Sequence, residues 1–289
     1  MTLHQPDPYN PTASHIACTD ETQYNVGRIR GLGMVSAPIE HAPTLSAAIR
    51  TLLDLSSVRE CKWEKLRTAK HHFAAARLLT WALDQARAGT LRIDTLTWDT
   101  TAAPSAPEHT LPHLQRLHHM YAHLLGHILP QRWPAGAAFH IYPDEQDALR
   151  WQRLLTTPHI TDITPSPSTT QPLIQLADLF AGLAVYSRDA YATYETWLGY
   201  PRHALPSAFS SSDQYRCRLL DDFFTTCKYA AVGVSLRTNR GLRTYDPARP
   251  ICFWWADTTT QALPERPGKK RKPTQSQPAL LDPPGPPML

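Results

Sequence analysis

The sequence predicts an α/β domain in which helices cover both faces of a single sheet. Two strand-like segments open the chain, and strand-like and helix-like segments then alternate along it, which is typical of a sheet with helices packed on it. Of the 289 residues, 42% are hydrophobic and 19% are charged, a composition typical of a globular chain with a substantial core. No run of 18 apolar residues occurs, so we expect no membrane-spanning helix and no membrane partner.

Five segments rich in β-branched and apolar residues predict the strands. The first two, His15–Glu21 and Arg28–Ala37, are expected to pair as a hairpin. The other three are Leu91–Thr100, Ala137–Tyr142 and residues 231–237.

Apolar residues at helical spacing predict five helices between and after these strands. The helices are Thr44–Ser57, Ala69–Ala88, His109–Leu129, Asp144–Leu155 and a long helix from Pro172 to about Tyr194. Gly89 is expected to end the second helix, because glycine tolerates the left-handed conformation found after helices. Pro130 is expected to stop the third.

The composition changes near the end of the chain. We expect a loose segment over residues 1–14, one domain over 15–260 with a helical insertion near 190–228, and a disordered basic tail over 261–289. Residues 264–289 hold eight of the 27 prolines, five Lys/Arg and two Asp/Glu, which leaves a net charge of only +1 of the total +4 for the rest. Local patches or metal ions must therefore neutralise the phosphates of any nucleic-acid partner.

The cysteines indicate the compartment in which we expect the protein. All five are scattered, and no Cys-x-x-Cys pair occurs, so the sequence predicts neither a zinc ribbon nor a disulfide framework. Residues 1–11 lack the apolar stretch of a signal peptide. We therefore expect a reduced, cytoplasmic protein.

Asp178 is the most informative candidate residue. In the helix QPLIQLADLFAGLAVY, the polar or small positions Gln171, Gln175, Asp178 and Gly182 form one narrow stripe on an otherwise apolar surface, which predicts a buried helix. A carboxylate buried there must be paired or bound to a cation. We expect Gly182, which has no side chain, to leave room beside Asp178 for an ion or a phosphate backbone.

Three further acidic residues occupy informative positions. Asp20 lies near the end of the first strand on the face of Ile16 and Cys18, Glu60 follows the first helix, and Asp144 follows a strand that ends at Pro143. Each could instead form a structural ion pair or a helix cap. If they converge, carboxylates without Cys or His ligands suit Mg²⁺ or Mn²⁺.

Four short motifs resemble the bacterial domain-of-unknown-function family 3800, whose members look like ribonuclease-H-fold proteins. The motifs are IACTDET, ECKW, YPDE and IQLADLFAG, and the matching residues are Asp20, Glu21, Glu60, Lys62, Asp144, Gln175 and Asp178. The resemblance implies a ribonuclease-H-like mixed sheet and a metal-dependent nuclease acting on RNA or DNA. It further implies that Asp20, Glu60, Asp144 and Asp178 bind Mg²⁺ or Mn²⁺, that Lys62 assists electrostatically near the phosphate, and that Gln175 supports the ligands.

The sequence departs from the family pattern at three places. Thr22 stands where the family usually has Ser, and the Gly that follows is missing. Ser168 is followed by Thr169 instead of Lys, and Pro172 by Leu173 instead of Gly. The missing Lys removes a possible phosphate contact. This departure affects substrate binding more than it affects the metal site, because all four acidic residues are present.

Two other functions stay open from the sequence. One is a non-catalytic module that keeps the fold and binds nucleic acid or protein, which the nearly neutral body favours. The other is a zinc hydrolase that uses His119, His123 and His127, spaced four residues apart on one helix. The segment lacks the Glu of the His-Glu-x-x-His motif, which disfavours the zinc site. The sequence indicates no particular protein partner.

Overall fold

The computed structural model describes most of the chain up to residue 256. The described residues are 13–22, 27–101, 113–145, 149, 151, 154–200, 209–237, 241–244 and 246–256, and they belong to one compact unit. The tail predicted over 261–289, and all but residues 13 and 14 of the predicted loose N-terminal segment, lie outside these ranges. The proposed domain bounds of 15 and 260 stay predictions.

Eight strands are found among the described residues. They are β1 (His15–Thr22), β2 (Ile29–Pro38), β3 (Arg92–Asp99), β4 (Phe139–Pro143), β5 (Ile160–Ile163), β6 (Val234–Arg237), β7 (Gly241–Thr244) and β8 (Ile251–Trp255). Six form one sheet in the order β5-β4-β1-β2-β3-β8, and β6 pairs with β7 in a separate two-stranded sheet.

The six-stranded sheet is mixed. Strand β2 is antiparallel to β1 and β3, whereas β4 is parallel to β1, β5 to β4, and β8 to β3. An antiparallel meander thus continues beyond β1 into two parallel strands, which is the ribonuclease-H-like arrangement, with β8 added at the other edge. The predicted fold class is confirmed.

Seven helices accompany the sheet in the described part of the chain. They are α1 (Ala42–Asp54), α2 (Ala69–Ala88), α3 (His113–His123), α4 (Leu129–Gln131), α5 (Leu173–Asp189), α6 (Tyr191–Leu198) and α7 (Ser211–Tyr229). A π-helical turn, Leu124–Ile128, joins α3 to α4. None of the described helices is long and apolar enough to cross a membrane.

The helices form a separate hydrophobic core on each face of the sheet. One core contains residues of α1, α2, α5, α6 and α7, and it includes Ile16 and Cys18 of β1. The other contains residues of α3, the π turn and α4, and it includes Ala17 of β1. Since side chains alternate along a strand, Asp20 belongs to the face of Ile16 and Cys18, as predicted, and α5 packs on this face.

Helix α5 packs on β1 and β2 with its backbone close to the sheet. A Cβ atom at Gly33 would lie 2.0 Å from the Ala177 carbonyl oxygen, and one at Gly31 would lie 2.7 Å from Cγ2 of Val185. Only glycine allows this approach. The close packing brings Asp178 to the end of β1 that carries Asp20.

The predicted helix Asp144–Leu155 is wrong at its described ends, and its residues 146–148, 150, 152 and 153 lie outside the described ranges. Asp144 and Glu145 are not helical, Leu154–Thr156 form a turn, and the following strand β5 was not predicted. The Asp144 N–H donates to the Thr19 carbonyl at 2.8 Å, so pairing with β1 holds this backbone extended. The apolar residues Trp151 and Leu154 pack in the second core, which explains the helix-like pattern.

Two helix ends also differ from the predictions. The helix expected from Pro172 to Tyr194 divides at Ala190, where φ is −106° and ψ is 24°, so α5 ends at Asp189 and α6 follows. Pro130 does not stop the third helix but lies at the start of α4, where a missing N–H costs little. Gly89, with φ at 80°, ends α2 as expected.

Candidate metal centre

The site begins with two aspartates at one edge of the sheet. Asp20 lies near the end of β1, and Asp144 directly follows β4, which runs parallel to β1. Parallel neighbours end at the same edge of a sheet, and such edges are common binding sites in α/β folds. The pairing therefore places two carboxylates from distant parts of the sequence side by side.

Lys62 bridges these two carboxylates. Its Nζ lies 3.0 Å from Oδ2 of Asp20 and 2.5 Å from Oδ2 of Asp144. The side chains of Lys62 and Asp20 are 15% and 6% exposed, and that of Asp144 is 23% exposed. One ammonium group thus contacts two largely buried carboxylates and can neutralise only one of their two charges.

The charges of this cluster shift the pKa values of its members. Burial raises the pKa of Asp20, and the negative charge of Asp178 raises it further, against the opposing effect of Lys62. For Lys62, burial lowers the pKa, but the charges of Asp20 and Asp178 and a hydrogen bond to Asp144 outweigh burial and raise it. Lys62 is therefore a fixed positive charge at neutral pH, and the cluster as a whole has excess negative charge.

Asp178 belongs to the same cluster and has a different partner. Its Oδ2 accepts the backbone N–H of Trp63 at 2.5 Å. Burial raises the pKa of Asp178 to about 6, although this hydrogen bond and the charge of Lys62 lower it. Among the described residues, no arginine or lysine forms an ion pair with this buried carboxylate. Asp178 can therefore still bind a cation.

The expected role of Gly182 is wrong. A Cβ atom at this position would lie 2.1 Å from Cγ of Trp63, so the Trp63 indole fills the space that we expected an ion or phosphate to occupy. Gly182 instead lets Trp63 pack against α5. Because the same residue donates its N–H to Asp178, this packing orients the carboxylate.

Gln175 holds two loops together beside the cluster. Its Oε1 accepts the Cys61 N–H at 2.8 Å, and its Nε2 donates to the Ser168 carbonyl at 3.0 Å. The side chain is buried, so each bond is protected from water. Gln175 thereby fixes the backbone next to Lys62.

Glu60 is bound to other side chains. Ser168 donates its hydroxyl to Oε1 of Glu60 at 2.5 Å, and Lys65 forms an ion pair with Oε2. Burial raises the pKa of Glu60, but the hydrogen bonds from Lys65 and Ser168 outweigh burial and lower it. Both carboxylate oxygens are therefore engaged, and Glu60 would have to exchange a partner to bind a metal.

The donor chemistry of the aspartates suits a hard divalent cation. Asp20, Asp144 and Asp178 supply carboxylate oxygens, which Mg²⁺ and Mn²⁺ prefer. Within the described ranges, however, no group of three or more His, Cys, Asp and Glu side chains is arranged to hold a metal ion. The three aspartates are therefore the right type of ligand for such a cation. In this structure the positive charge that Asp20 and Asp144 contact is the Lys62 ammonium.

The structure does not support a zinc site at His119, His123 and His127. His123 and His127 have ring centroids 5.4 Å apart, and the second of them lies in the π turn. The absence of a metal-binding group in the described part of the chain applies to these histidines too.

Two neighbours of the cluster were not predicted from the sequence. The Trp63 carbonyl accepts Nη2 of Arg216 at 3.3 Å, and Cζ of Arg216 lies 5.3 Å from the centre of the Trp63 ring. Arg216 comes from α7, 153 residues from Trp63, and no motif in the sequence links them. The second neighbour is Ser168, and the sequence does not predict its hydrogen bond to Glu60.

Comparisons with known proteins identify relatives without an assigned function. No protein-family model matches the chain. The uncharacterized protein ORF2′ of Methanothermobacter thermautotrophicus is 32% identical over 273 residues, which cover 84% of this chain and 94% of the relative. The uncharacterized protein ORF2 of the same organism is 29% identical over 270 residues, with the same coverage.

A solved structure is also similar, at a lower level. A chain in the structure of the PCNA:RNase HII complex from Archaeoglobus fulgidus has a TM-score of 0.39 and 15% identity, and the match covers 73% of this chain and 89% of that one. The strand order β5-β4-β1-β2-β3-β8 is what identifies the fold. By its identity and coverage, the chain belongs to the family of the Methanothermobacter thermautotrophicus protein ORF2′.

Proposed function

We propose that this protein is a divalent-metal-dependent nuclease that hydrolyses phosphodiester bonds of RNA or DNA in the cytoplasm. The proposal includes membership of domain-of-unknown-function family 3800. Asp20, Glu60, Asp144 and Asp178 bind Mg²⁺ or Mn²⁺. The observation that supports it is the group of three aspartates at the ends of β1 and β4 and on α5, of which Asp20 and Asp144 share one lysine ammonium and Asp178 accepts a backbone N–H.

The residues of the chain have distinct roles in this proposal. Divalent cations held by these carboxylates would supply a water nucleophile and stabilise the leaving oxygen. The Trp63 N–H orients Asp178, and Gln175 fixes the backbone beside Lys62. Lys62 carries a positive charge into the site and can contact a phosphate once it leaves a carboxylate. Glu60 joins the ligands by exchanging the Ser168 hydroxyl for the cation and keeps its ion pair with Lys65.

The experiment is a cleavage assay with labelled RNA, DNA and hybrid duplex in the presence of Mn²⁺ or Mg²⁺. We expect Asp20→Asn and Asp178→Asn each to abolish cleavage, because an amide is a much weaker ligand for a hard cation. Asp84→Asn is the matched control, since the Asp84 side chain is 63% exposed and belongs to α2. Full cleavage by both site variants, with circular dichroism like that of the wild type, would reject the mechanism.

A second candidate function has one observation in its favour. Lys62 already neutralises part of the charge of Asp20 and Asp144, as a structural ion cluster would. In that case the protein is a non-catalytic module that binds nucleic acid or protein. Binding of nucleic acid without turnover, and no change in melting temperature on addition of Mn²⁺, would favour this module over the nuclease.

A further inference from the structure

We propose that the Lys62 ammonium and a divalent cation compete for Asp20 and Asp144, so that Lys62 sets the metal affinity of the site. This inference rests on the proposed function, because it concerns how the same carboxylates acquire their cation. It assigns Lys62 a second role, as a tethered counter-ion that leaves the carboxylates when a metal ion binds.

The Lys62 ammonium group contacts both carboxylates at once. Lys62 Nζ contacts the same type of oxygen, Oδ2, on both aspartates, at 3.0 Å and 2.5 Å. A divalent cation that bound both carboxylates would lie close to this ammonium, in a site where burial weakens the screening of like charges. The two cations therefore exclude each other from the pair of carboxylates.

The Lys62 side chain can leave the two carboxylates without unfolding of its segment. The backbone is anchored on both sides of the residue, by the Cys61 N–H to Gln175 and by the Trp63 N–H to Asp178. Lys62 itself has an extended backbone, with φ at −116° and ψ at 148°, and carries a flexible four-carbon stem. Rotation of the side chain is therefore enough to release the carboxylates.

Lys65 offers a natural comparison three residues along the chain. Its ammonium pairs with Glu60, and its side chain is 43% exposed. Glu60 also accepts the Ser168 hydroxyl, so this carboxylate keeps a partner when Lys65 is removed. If Lys62 acts by occupying Asp20 and Asp144, the loss of Lys65 must have a much smaller effect on metal binding.

The test is isothermal titration of Mn²⁺ into the full chain after treatment with EDTA. We expect Lys62→Met to lower the Mn²⁺ dissociation constant by about tenfold or more, and Lys65→Met to change it by about twofold or less, since only the first removes the competing charge. Lys62→Gln, which keeps a hydrogen-bond donor without the charge, should resemble Lys62→Met. Lys62→Arg should bind Mn²⁺ no more tightly than the wild type.

Each outcome decides the proposal. If Mn²⁺ binds the wild type, Lys62→Met and Lys62→Gln with equal affinity, the competition is wrong and the metal-dependent function stands. If Mn²⁺ at millimolar concentration binds none of them, the proposed function is wrong and the competition falls with it. The two failures are therefore distinguishable.

A measurement on the unaltered protein covers the case in which the Lys62 variants do not fold. Acetic anhydride acetylates accessible lysines, and mass spectrometry quantifies the label on each one. Mn²⁺ should increase the labelling of Lys62 and leave that of the exposed Lys65 within about twofold, because a released ammonium returns to water. Unchanged labelling of Lys62 at saturating Mn²⁺ would overturn the competition.

Discussion

Two groups of buried aspartates lie on the same sheet, and their surroundings differ. On β3, Asp94 is fully buried and paired with Arg132, whose Nε lies 2.8 Å from Oδ1, while the indole N–H of Trp254 donates to the same carboxylate at 2.8 Å. At the ends of β1 and β4, Asp20 and Asp144 share Lys62, and Asp178 on α5 adds a third carboxylate to the cluster. The first group has matched charges, and the second has more carboxylates than cations.

The difference distinguishes a structural from a functional use of a buried charge. Arg132 also donates to the carbonyls of Pro247 and Arg249, so the Asp94 pair connects β3 to the segment before β8 and leaves few unused donors. The cluster around Lys62 has a cation that can rotate away and a carboxylate, Asp178, held by a backbone N–H. Excess buried charge costs stability, and such charge is typical of binding and catalytic sites.

The largest effect is expected when the matched pair is broken. Arg132→Met leaves Asp94 buried without its counter-ion, which should lower the free energy of unfolding by about 3–5 kcal/mol. Urea denaturation followed by circular dichroism measures this value. Arg87→Met is the control, because Arg87 is 52% exposed and its contact with Asp84 is long, at 3.8 Å. A loss under about 1 kcal/mol for Arg132→Met would show that the pair is not structural.

In contrast, removing a charge from the unmatched cluster should stabilise the protein. The pKa of Asp178 is about 6 in the folded state against 3.8 ordinarily, so the folded state holds a proton that the unfolded state has released. Stability therefore falls as the pH rises from about 4 to about 6, and the loss persists above that window. Asp178→Asn should recover on the order of 3 kcal/mol at pH 8, since its amide oxygen can still accept the Trp63 N–H.

Denaturation at pH 4 and pH 8 measures this effect. The two proteins should be similar in stability at pH 4 and differ at pH 8, while Asp84→Asn should follow the wild type at both values. If Asp178→Asn is less stable than the wild type at pH 8, the carboxylate is matched by its surroundings and the comparison with Asp94 fails.

The smallest effect concerns the packing that orients Asp178. Gly182→Ala would bring a methyl group within 2.1 Å of the Trp63 ring, which should cost about 1–3 kcal/mol of unfolding free energy and shift Trp63 away from the carboxylate. Gly126→Ala is the control, since a Cβ atom there meets nothing within 4 Å. Equal stability of the two variants would mean that Trp63 does not depend on Gly182.

The sequence predicted the parts of the site that local patterns determine. Alternation along β1 placed Asp20 on the face of Ile16 and Cys18, and the polar stripe of the buried helix identified Asp178. Lys62 could be named from the motif, but its bridge spans 42 residues to Asp20 and 82 to Asp144. Only the tertiary fold determines that contact.

The wrong predictions have a common physical origin. The room beside Gly182 depends on Trp63, which lies in a distant segment of the chain. The backbone conformation of Asp144 depends on a hydrogen bond to Thr19. Long-range packing overrides local propensity in both cases. For the same reason, the partners of Glu60 could not be read from its motif.

The most direct test of the central claim is a crystal structure of the full chain soaked in Mn²⁺, with anomalous diffraction recorded to locate the metal. We predict a manganese peak in contact with Asp20 and Asp144 and the Lys62 ammonium displaced from both carboxylates. No manganese peak at these aspartates, with Lys62 still bridging them at saturating Mn²⁺, would contradict the account.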